Sequence, residues 1–315
     1  MALESKLKDN STRMNKLYRF GMGLDMKNNS DGLVSRLFGN LVSSMRKFLF
    51  RILSVGPIPN HLAFILDGNR RYAKKWNLQE ETGYKCGFWA LMPMLKYCYE
   101  LGVTYVTIYA FSIDNFKRGP KEVQCLMGLM QEKIEGLLEE ESIVHQFGVR
   151  VHFIGNLKLL PESVKVGAEK VMKATANNNK KVLLICVAYT STDEIVHAAQ
   201  ESCQRKWDEI REMKPGGGAH SFEISNESQE EEERRFIKLV DLEQCIYMGV
   251  APDPDILFRT AGETRLSNFL LWQTPTCLLY SPGVLFPEIG LRHLVWAVLN
   301  FQRAYSYVEK KKKQL

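Results

Sequence analysis

The 315-residue chain contains no Cys-x-x-Cys pair and no Gly-x-x-x-x-Gly-Lys-Ser/Thr loop. It also has no uninterrupted apolar run of membrane-spanning length. Each absence removes a class of function. The seven cysteines, Cys86, Cys98, Cys125, Cys186, Cys203, Cys245 and Cys277, stand singly, so a zinc ribbon or redox dithiol has no support. Free, mostly buried thiols in a reducing compartment are expected instead. Without the phosphate-binding loop, a generic nucleotide-hydrolysing enzyme is disfavoured. A membrane span needs about 20 apolar residues, and the first 32 residues contain no hydrophobic signal region. The chain is therefore expected to be neither secreted nor membrane-spanning.

The body of the protein also lacks net charge. Residues 1–53 hold ten Lys/Arg against four Asp/Glu, which accounts for the whole formal charge of +6. The remainder, 54–315, balances 32 basic against 32 acidic residues. A body without excess positive charge argues against nucleic-acid binding, and a basic arm suits an anionic surface.

What is present is material for one large domain: 45% hydrophobic and 25% charged residues. Residues 1–32 read as a disordered polar arm. In 33–53, apolar residues from Leu33 to Ile52 recur at helical spacing, with Arg36, Asn40, Ser43, Ser44, Lys47 and Arg51 on the other side. This predicts an amphipathic helix with a basic polar face, packed on the body or lying on a membrane. Pro57 and Pro59 end it.

From 54 to 308, short β-rich runs alternate with longer helical patterns. Strands are expected at 61–66, 104–111, 150–155, 182–189, 255–259 and 277–281. Helices are expected around 85–101, 120–146, 162–176, 191–213, 234–247 and 289–308. Most strands are continuously apolar, as when both faces are covered. The pattern predicts a single α/β domain with a central, mainly parallel six-stranded sheet flanked by helices. Residues 214–235 carry three consecutive glycines and an acidic block, and read as a flexible insertion. Residues 309–315 form a basic tail.

In such sheets ligands bind beyond the C-terminal strand ends. Three polar clusters fall there. The first is Asp67-Gly68-Asn69-Arg70-Arg71, between a strand and a helix. Gly68 allows close backbone approach, the helix start and the arginines favour an anion, and Asp67 suits a magnesium ion bridging to a phosphate. The second cluster is Ser112, Asn115 and Arg118. The third, after a strand ending at Arg259, brings Arg265, Ser267 and Asn268. Taken singly, these residues read equally well as helix caps and surface ion pairs. Together they suggest a double polyanion site.

The stretches "FILDGNRRYAKK", "YAFSIDNFKR" and "ILFRTAGETRLSNFLLWQ" resemble, in order, the motifs of the cis-prenyltransferases, the undecaprenyl and dehydrodolichyl diphosphate synthase family. The resemblance spans about 55–308. It is closest to the eukaryotic dehydrodolichyl diphosphate synthase catalytic subunit, consistent with a plant source. It implies that Asp67 holds Mg2+ on the diphosphates. Gly68, Asn69, Arg70 and Arg71 match the loop for the allylic diphosphate, and Arg118 lies near the same group. Arg259, Arg265 and Ser267 match the clamp for isopentenyl diphosphate, while Ser112 and Asn115 lie near the reacting carbons. The implied reaction joins C1 of an allylic diphosphate to C4 of isopentenyl diphosphate with loss of a proton. No strong general base is evident, which leaves a diphosphate oxygen as a candidate acceptor. The hydrocarbon product needs an apolar tunnel, since burial is favourable by roughly 0.8 kcal/mol per CH₂. Candidate walls are "GFWALMPMLKYCYEL" and the helix bearing Val123, Leu126, Met127, Met130, Ile134 and Leu137.

The chain departs from the family pattern in four places. Tyr84 stands where many members carry His, Glu80 where many carry Arg, and Leu278 where bacterial members place a metal-binding Glu. The end, "FQRAYSYVEKKKKQL", lacks the Arg-x-Gly motif of homodimeric members. The last two departures imply a heteromer with a Nogo-B-receptor-like subunit supplying Arg-x-Gly. Peripheral contact at the cytosolic face of the endoplasmic reticulum is implied, with cytosol as the alternative. Other readings are a rubber-type synthase of longer polymers and a non-catalytic scaffold subunit. The retained Asp-Gly-Asn argues against the scaffold. The absence of an Asp-Asp-x-x-Asp motif argues against a trans-prenyl synthase.

Overall fold

A computed structural model describes residues 33–213 and 236–314; the arm 1–32, the whole glycine-acidic insertion 214–235 and residue 315 lie outside the described residues. All six expected strands form: β1 (His61–Ile65), β2 (Tyr105–Ser112), β3 (Val149–Ile154), β4 (Lys181–Tyr189), β5 (Ile256–Arg259) and β6 (Leu278–Tyr280). They make one sheet in the order β3-β4-β2-β1-β5-β6. Every pairing is parallel.

The continuous apolar runs are explained by coverage of both faces. Along β1, Leu62 and Phe64 join one buried cluster while Ala63 and Ile65 join the other. In β4, Leu183, Ile185 and Val187 face the first cluster and Leu184 and Cys186 the second. This is the two-residue alternation of a strand with apolar layers above and below.

The helices are α1 (Leu33–Leu53), α2 (Asn69–Lys75), α3 (Glu80–Leu101), α4 (Pro120–Gly136), α5 (Ile143–Phe147), α6 (Glu162–Ala174), α7 (Ser191–Met213), α8 (Leu239–Cys245) and α9 (Leu291–Lys312). Four boundaries differ from expectation, and the first is that of α3, which starts at Glu80 rather than near 85. The predicted helix 120–146 is two helices, interrupted at 137–142. Gly136 and the acidic run Glu139-Glu140-Glu141 oppose continuation, because negative charge is unfavourable at a helix C-terminus. Of the predicted helix 234–247, residues 234 and 235 lie outside the described residues, and the rest gives α8 plus a 3₁₀ turn at Tyr247–Val250. The last helix extends through Lys312, whose ammonium pairs with Asp255 at 2.8 Å.

The described part of α1 has two apolar sides. Phe50 and Leu53 are buried against the body, and buried Arg46 donates to Glu100 at 2.8 Å. Leu41, Met45, Phe48 and Ile52, spaced four, three and four residues apart, are exposed. Among the described residues, no helix is long and apolar enough to cross a membrane.

Candidate active site

Parallel pairing puts the C-terminal ends of β1, β2 and β5 side by side, so the three polar clusters meet there. β1 runs into Asp67 and then Gly68, which sits at φ 110°, and α2 begins at the next residue. A side chain at Gly68 would be strained by that φ and would press on Leu285. Gly87 of α3 is equally constrained: an added Cβ would lie 2.2 Å from Asn69 Oδ1.

Asp67 is the junction of the first and third clusters. Arg259 Nη2 donates to its Oδ2 at 2.8 Å, and Arg71 Nη2 donates to its Oδ1 at 3.3 Å. Burial would push the carboxyl up, but the hydrogen bond and charge of Arg259, followed by those of Arg71, hold it below the usual carboxylate range. Thr260 Oγ1 donates to the Asp67 carbonyl at 2.6 Å and fixes the strand end. Arg259 is itself buried. Its Nη1 donates to Ser267 Oγ at 2.6 Å and to the Arg265 carbonyl, while its Nε has no partner among the described residues. Ser267 and Asn268 adopt positive φ values of 49° and 57°. The turn is held by Asn268 Oδ1, which accepts from the Thr192 N–H and hydroxyl at the start of α7.

Ser112 and Asn115 do cap a 3₁₀ turn, Ile113–Lys117: Ser112 Oγ accepts from the Asp114 N–H and Asn115 Oδ1 accepts from the Ser112 N–H. They also line the cavity, so the structural and ligand-facing readings hold together. With Oδ1 occupied, Asn115 is poorly placed to take a proton.

The cavity holds about 450 Å³. Asp67, Asn69, Arg70, Ser112, Asn115, Arg118, Arg259, Arg265 and Ser267 all line it. Gly68 and Arg71 are not among its lining residues. Arg71 turns instead toward Glu263, with its Nη1 at 3.1 Å from that carboxylate. Behind the polar mouth the wall becomes apolar, with Leu91 and Leu95 of α3, Met130 and Ile134 of α4, and Leu183 and Ile185 of β4. The expected tunnel walls are thus present in large part; Val123 and Met127 are not lining residues.

Sequence reasoning missed two acids. Glu263 bridges Arg71 and Arg265. Glu122 accepts from Arg118 Nη1 at 2.9 Å and from Tyr84 Oη at 2.7 Å, with Arg70 at 3.9 Å. Their signal was only their presence in the same stretches as the arginines. Of the departures from the family pattern, Tyr84 lines the cavity, whereas Glu80 is exposed in the first turn of α3. Leu278 starts β6 opposite Ile256, the first residue of β5, so it lies toward the end of the sheet away from Asp67.

Among the described residues there is no cluster of three or more His, Cys, Asp or Glu. The donor set for a cation is therefore one ionised carboxylate, Asp67, among arginines. That fits a hard divalent ion taking its other ligands from phosphate oxygens and water. Chemically, the site is a cationic mouth with donors from three strand ends, opening on an apolar channel. It suits an anionic head group carrying a hydrocarbon tail.

The family model described as "Putative undecaprenyl diphosphate synthase" matches residues 65–308. A dehydrodolichyl diphosphate synthase of Arabidopsis thaliana is 60% identical over 284 residues, which cover 90% of this chain and 96% of that one. The rubber cis-polyprenyltransferase of Hevea brasiliensis is 56% identical, with 93% and 100% covered. The dehydrodolichyl diphosphate synthase complex subunit of Homo sapiens is 41% identical, with 85% and 74% covered. Among solved structures, lavandulyl diphosphate synthase from Lavandula x intermedia, in complex with dimethylallyl diphosphate, superposes with a TM-score of 0.65 at 27% identity, covering 78% of this chain and 95% of that one.

Proposed function

The chain belongs to the undecaprenyl diphosphate synthase family of prenyltransferases, and on that premise we propose that it condenses isopentenyl diphosphate with an allylic diphosphate to build a long-chain cis-polyprenyl diphosphate. It is an enzyme of the cis-prenyltransferase type, and its product class is dehydrodolichyl diphosphate, which feeds dolichol synthesis and protein glycosylation. One observation carries this reading: a single cavity joins the mouth formed by Asp67, Arg70, Arg118, Arg259, Arg265 and Ser267 to an apolar channel. The primer, farnesyl diphosphate or similar, places its diphosphate by Asn69, Arg70 and Arg118 and its tail along α3 and α4. Isopentenyl diphosphate takes the Arg259, Arg265 and Ser267 side.

Mg2+, when bound, neutralises charge on the diphosphate leaving group, with Asp67 as the protein ligand. Arg259 and Arg118 are held by protein contacts before substrate arrives, so they stabilise the developing charge with little reorganisation. Two clamps at neighbouring strand ends hold the alkene against the allylic carbon, which removes the entropic cost of encounter. Asn115, with Oδ1 engaged, orients rather than accepts, and the departing proton goes to a diphosphate oxygen.

The enzyme works with a second, Nogo-B-receptor-like subunit that supplies Arg-x-Gly. In this chain Arg303-Ala304-Tyr305 lies within α9, and Arg303 stacks over Trp296 at 5.9 Å. The edge strand β6 and α9 expose the apolar side chains of Leu279, Trp296 and Tyr307, which are available to a partner. The human relative is named as a complex subunit. The exposed apolar row of α1, flanked by Lys47 and Arg51, supports peripheral contact with an anionic membrane at the cytosolic face of the endoplasmic reticulum.

The test is incubation with farnesyl diphosphate, labelled isopentenyl diphosphate and Mg2+, with and without the second subunit, followed by chromatography of the products. Polyprenyl products of dolichol length are expected; no incorporation under either condition overturns the reading. The 56% identity to the Hevea enzyme favours a rubber-type synthase as the second reading, and much longer products would select it.

A further inference from the structure

We infer that Tyr84 is a positioning residue for the allylic diphosphate, acting through Glu122 on Arg118; the inference rests on the assignment of Arg70 and Arg118 to the allylic side. Tyr84 belongs to the first turns of α3, which Gly83 and Gly87 let pack closely against the start of α2. Its ring lines the cavity one helical turn before Phe88, where the polar mouth gives way to the apolar wall. Its hydroxyl is committed elsewhere. Tyr84 Oη donates to Glu122 Oε1 at 2.7 Å and accepts from Arg118 Nη1 at 3.2 Å, while the same Arg118 nitrogen donates to Glu122 Oε1 at 2.9 Å. Three atoms from α3, α4 and the intervening turn therefore close a triangle.

The triangle grips one nitrogen of Arg118. The triangle engages only Nη1, so Nη2 and Nε of the same guanidinium are the donors it offers to a ligand. Arg118 needs this grip because it sits between a 3₁₀ turn and Gly119-Pro120, with no helix of its own to hold it. Glu122 alone is a weaker support, since an i,i+4 ion pair near the surface contributes little to order. The phenol adds a contact from a separate helix. Burial, the hydrogen bond to Glu122 and the nearby carboxylate charge keep its proton on, so it stays a donor throughout the physiological range.

This accounts for a residue that otherwise looks like a defect. The position requires a flat ring bearing a polar hydrogen that reaches a carboxylate. Tyrosine meets the requirement. Phenylalanine preserves the wall and loses the hydrogen.

The experiment is calorimetric titration of the full chain, with its second subunit if turnover requires one. The probes are a non-reacting allylic analogue, farnesyl thiodiphosphate, with Mg2+, and isopentenyl diphosphate in parallel. Tyr84→Phe should bind the allylic analogue roughly tenfold more weakly, the scale of one hydrogen bond to a charged group, with the isopentenyl Kd unchanged. On a Glu122→Ala background, Tyr84→Phe should add less than about twofold, because the two residues act as one unit. Wild-type affinity in Tyr84→Phe, or equal weakening for both ligands, would overturn the inference. A wild-type protein that binds neither ligand overturns the substrate assignment itself, and this inference with it.

Discussion

Arg259 at the end of β5 donates to Asp67 at the end of β1 across 2.8 Å, joining residues 192 positions apart in the chain. The guanidinium is buried and the carboxylate is partly open to the cavity. One contact thus sets the geometry of the proposed metal ligand and of the proposed isopentenyl clamp. It also means that a change at Asp67 is not purely catalytic.

Asp67→Asn should abolish turnover at every Mg2+ concentration, because it removes the carboxylate charge while leaving an acceptor for Arg259. Asp67→Ala should be equally inactive and also less stable, by on the order of 2–3 kcal/mol, since it strands the Arg259 charge. Activity assays and thermal melts separate the two effects. Wild-type-like turnover in Asp67→Asn would remove Asp67 from the metal site.

Arg265→Ala should raise KM for isopentenyl diphosphate more than for the allylic substrate. A charge-assisted contact is worth about 1.5–3 kcal/mol. Arg265 is largely exposed and paired with Glu263, so the lower end, roughly tenfold, is expected. An increase confined to the allylic KM would mean that the two sites are assigned the wrong way round.

Replacing Leu41, Met45, Phe48 and Ile52 together by serine should release the protein from anionic vesicles in a flotation assay. These side chains are exposed, so the fold should be unaffected. Deleting all of 1–53 is a poorer probe, because it also removes buried Phe50, Leu53 and the Arg46–Glu100 pair. Undiminished vesicle binding by the quadruple variant would locate the anchor on the partner or on Lys310–Lys313.

The purified chain alone should turn over far more slowly than the same amount of chain mixed with its second subunit, with detergent in both. Trp296→Asp should abolish the stimulation without changing the melting temperature of the isolated chain, since Trp296 is exposed there. Equal rates with and without the subunit would show that the missing Arg-x-Gly does not matter.

His61 adds a pH dependence unconnected with catalysis. Burial pushes its imidazole down from 6.5 to about 4, against the opposing bond to the Pro252 carbonyl. Between those values the unfolded chain takes up the proton more readily, so stability is lost as pH falls through that window. The loss from this group is on the order of 3 kcal/mol. In urea melts, the stability advantage of wild type over His61→Gln should shrink between pH 7 and pH 4; a constant difference would refute the assignment.

Much of this architecture was legible beforehand. Leu62 to Ile65 and Leu183 to Val187 are apolar without a break, and such runs form strands covered on both faces. Asp67, Ser112 and Arg259 each follow a run of this kind, so a parallel sheet had to bring them to one edge. The break at 137–142 was less legible, because the apolar spacing continues through Leu137 and Leu138 into Ile143 while the acidic run between them stops the helix. The two-sided character of α1 was also hidden, since one stripe at helical spacing does not reveal which residues face protein and which face solvent.

The amino-acid order by itself determined the strands, the α/β class and the three stretches that carry the chemistry, because these depend on local periodicity and on residues a few positions apart. Tertiary structure alone decided which charge meets which. β5 lies beside β1 although three strands intervene in sequence, and that adjacency is what joins Arg259 to Asp67. The packing of α3 against α2 and α4 likewise turns Tyr84, Glu122 and Arg118 into one unit. Side-chain pairing over such separations follows from strand order and helix docking, which no local pattern encodes.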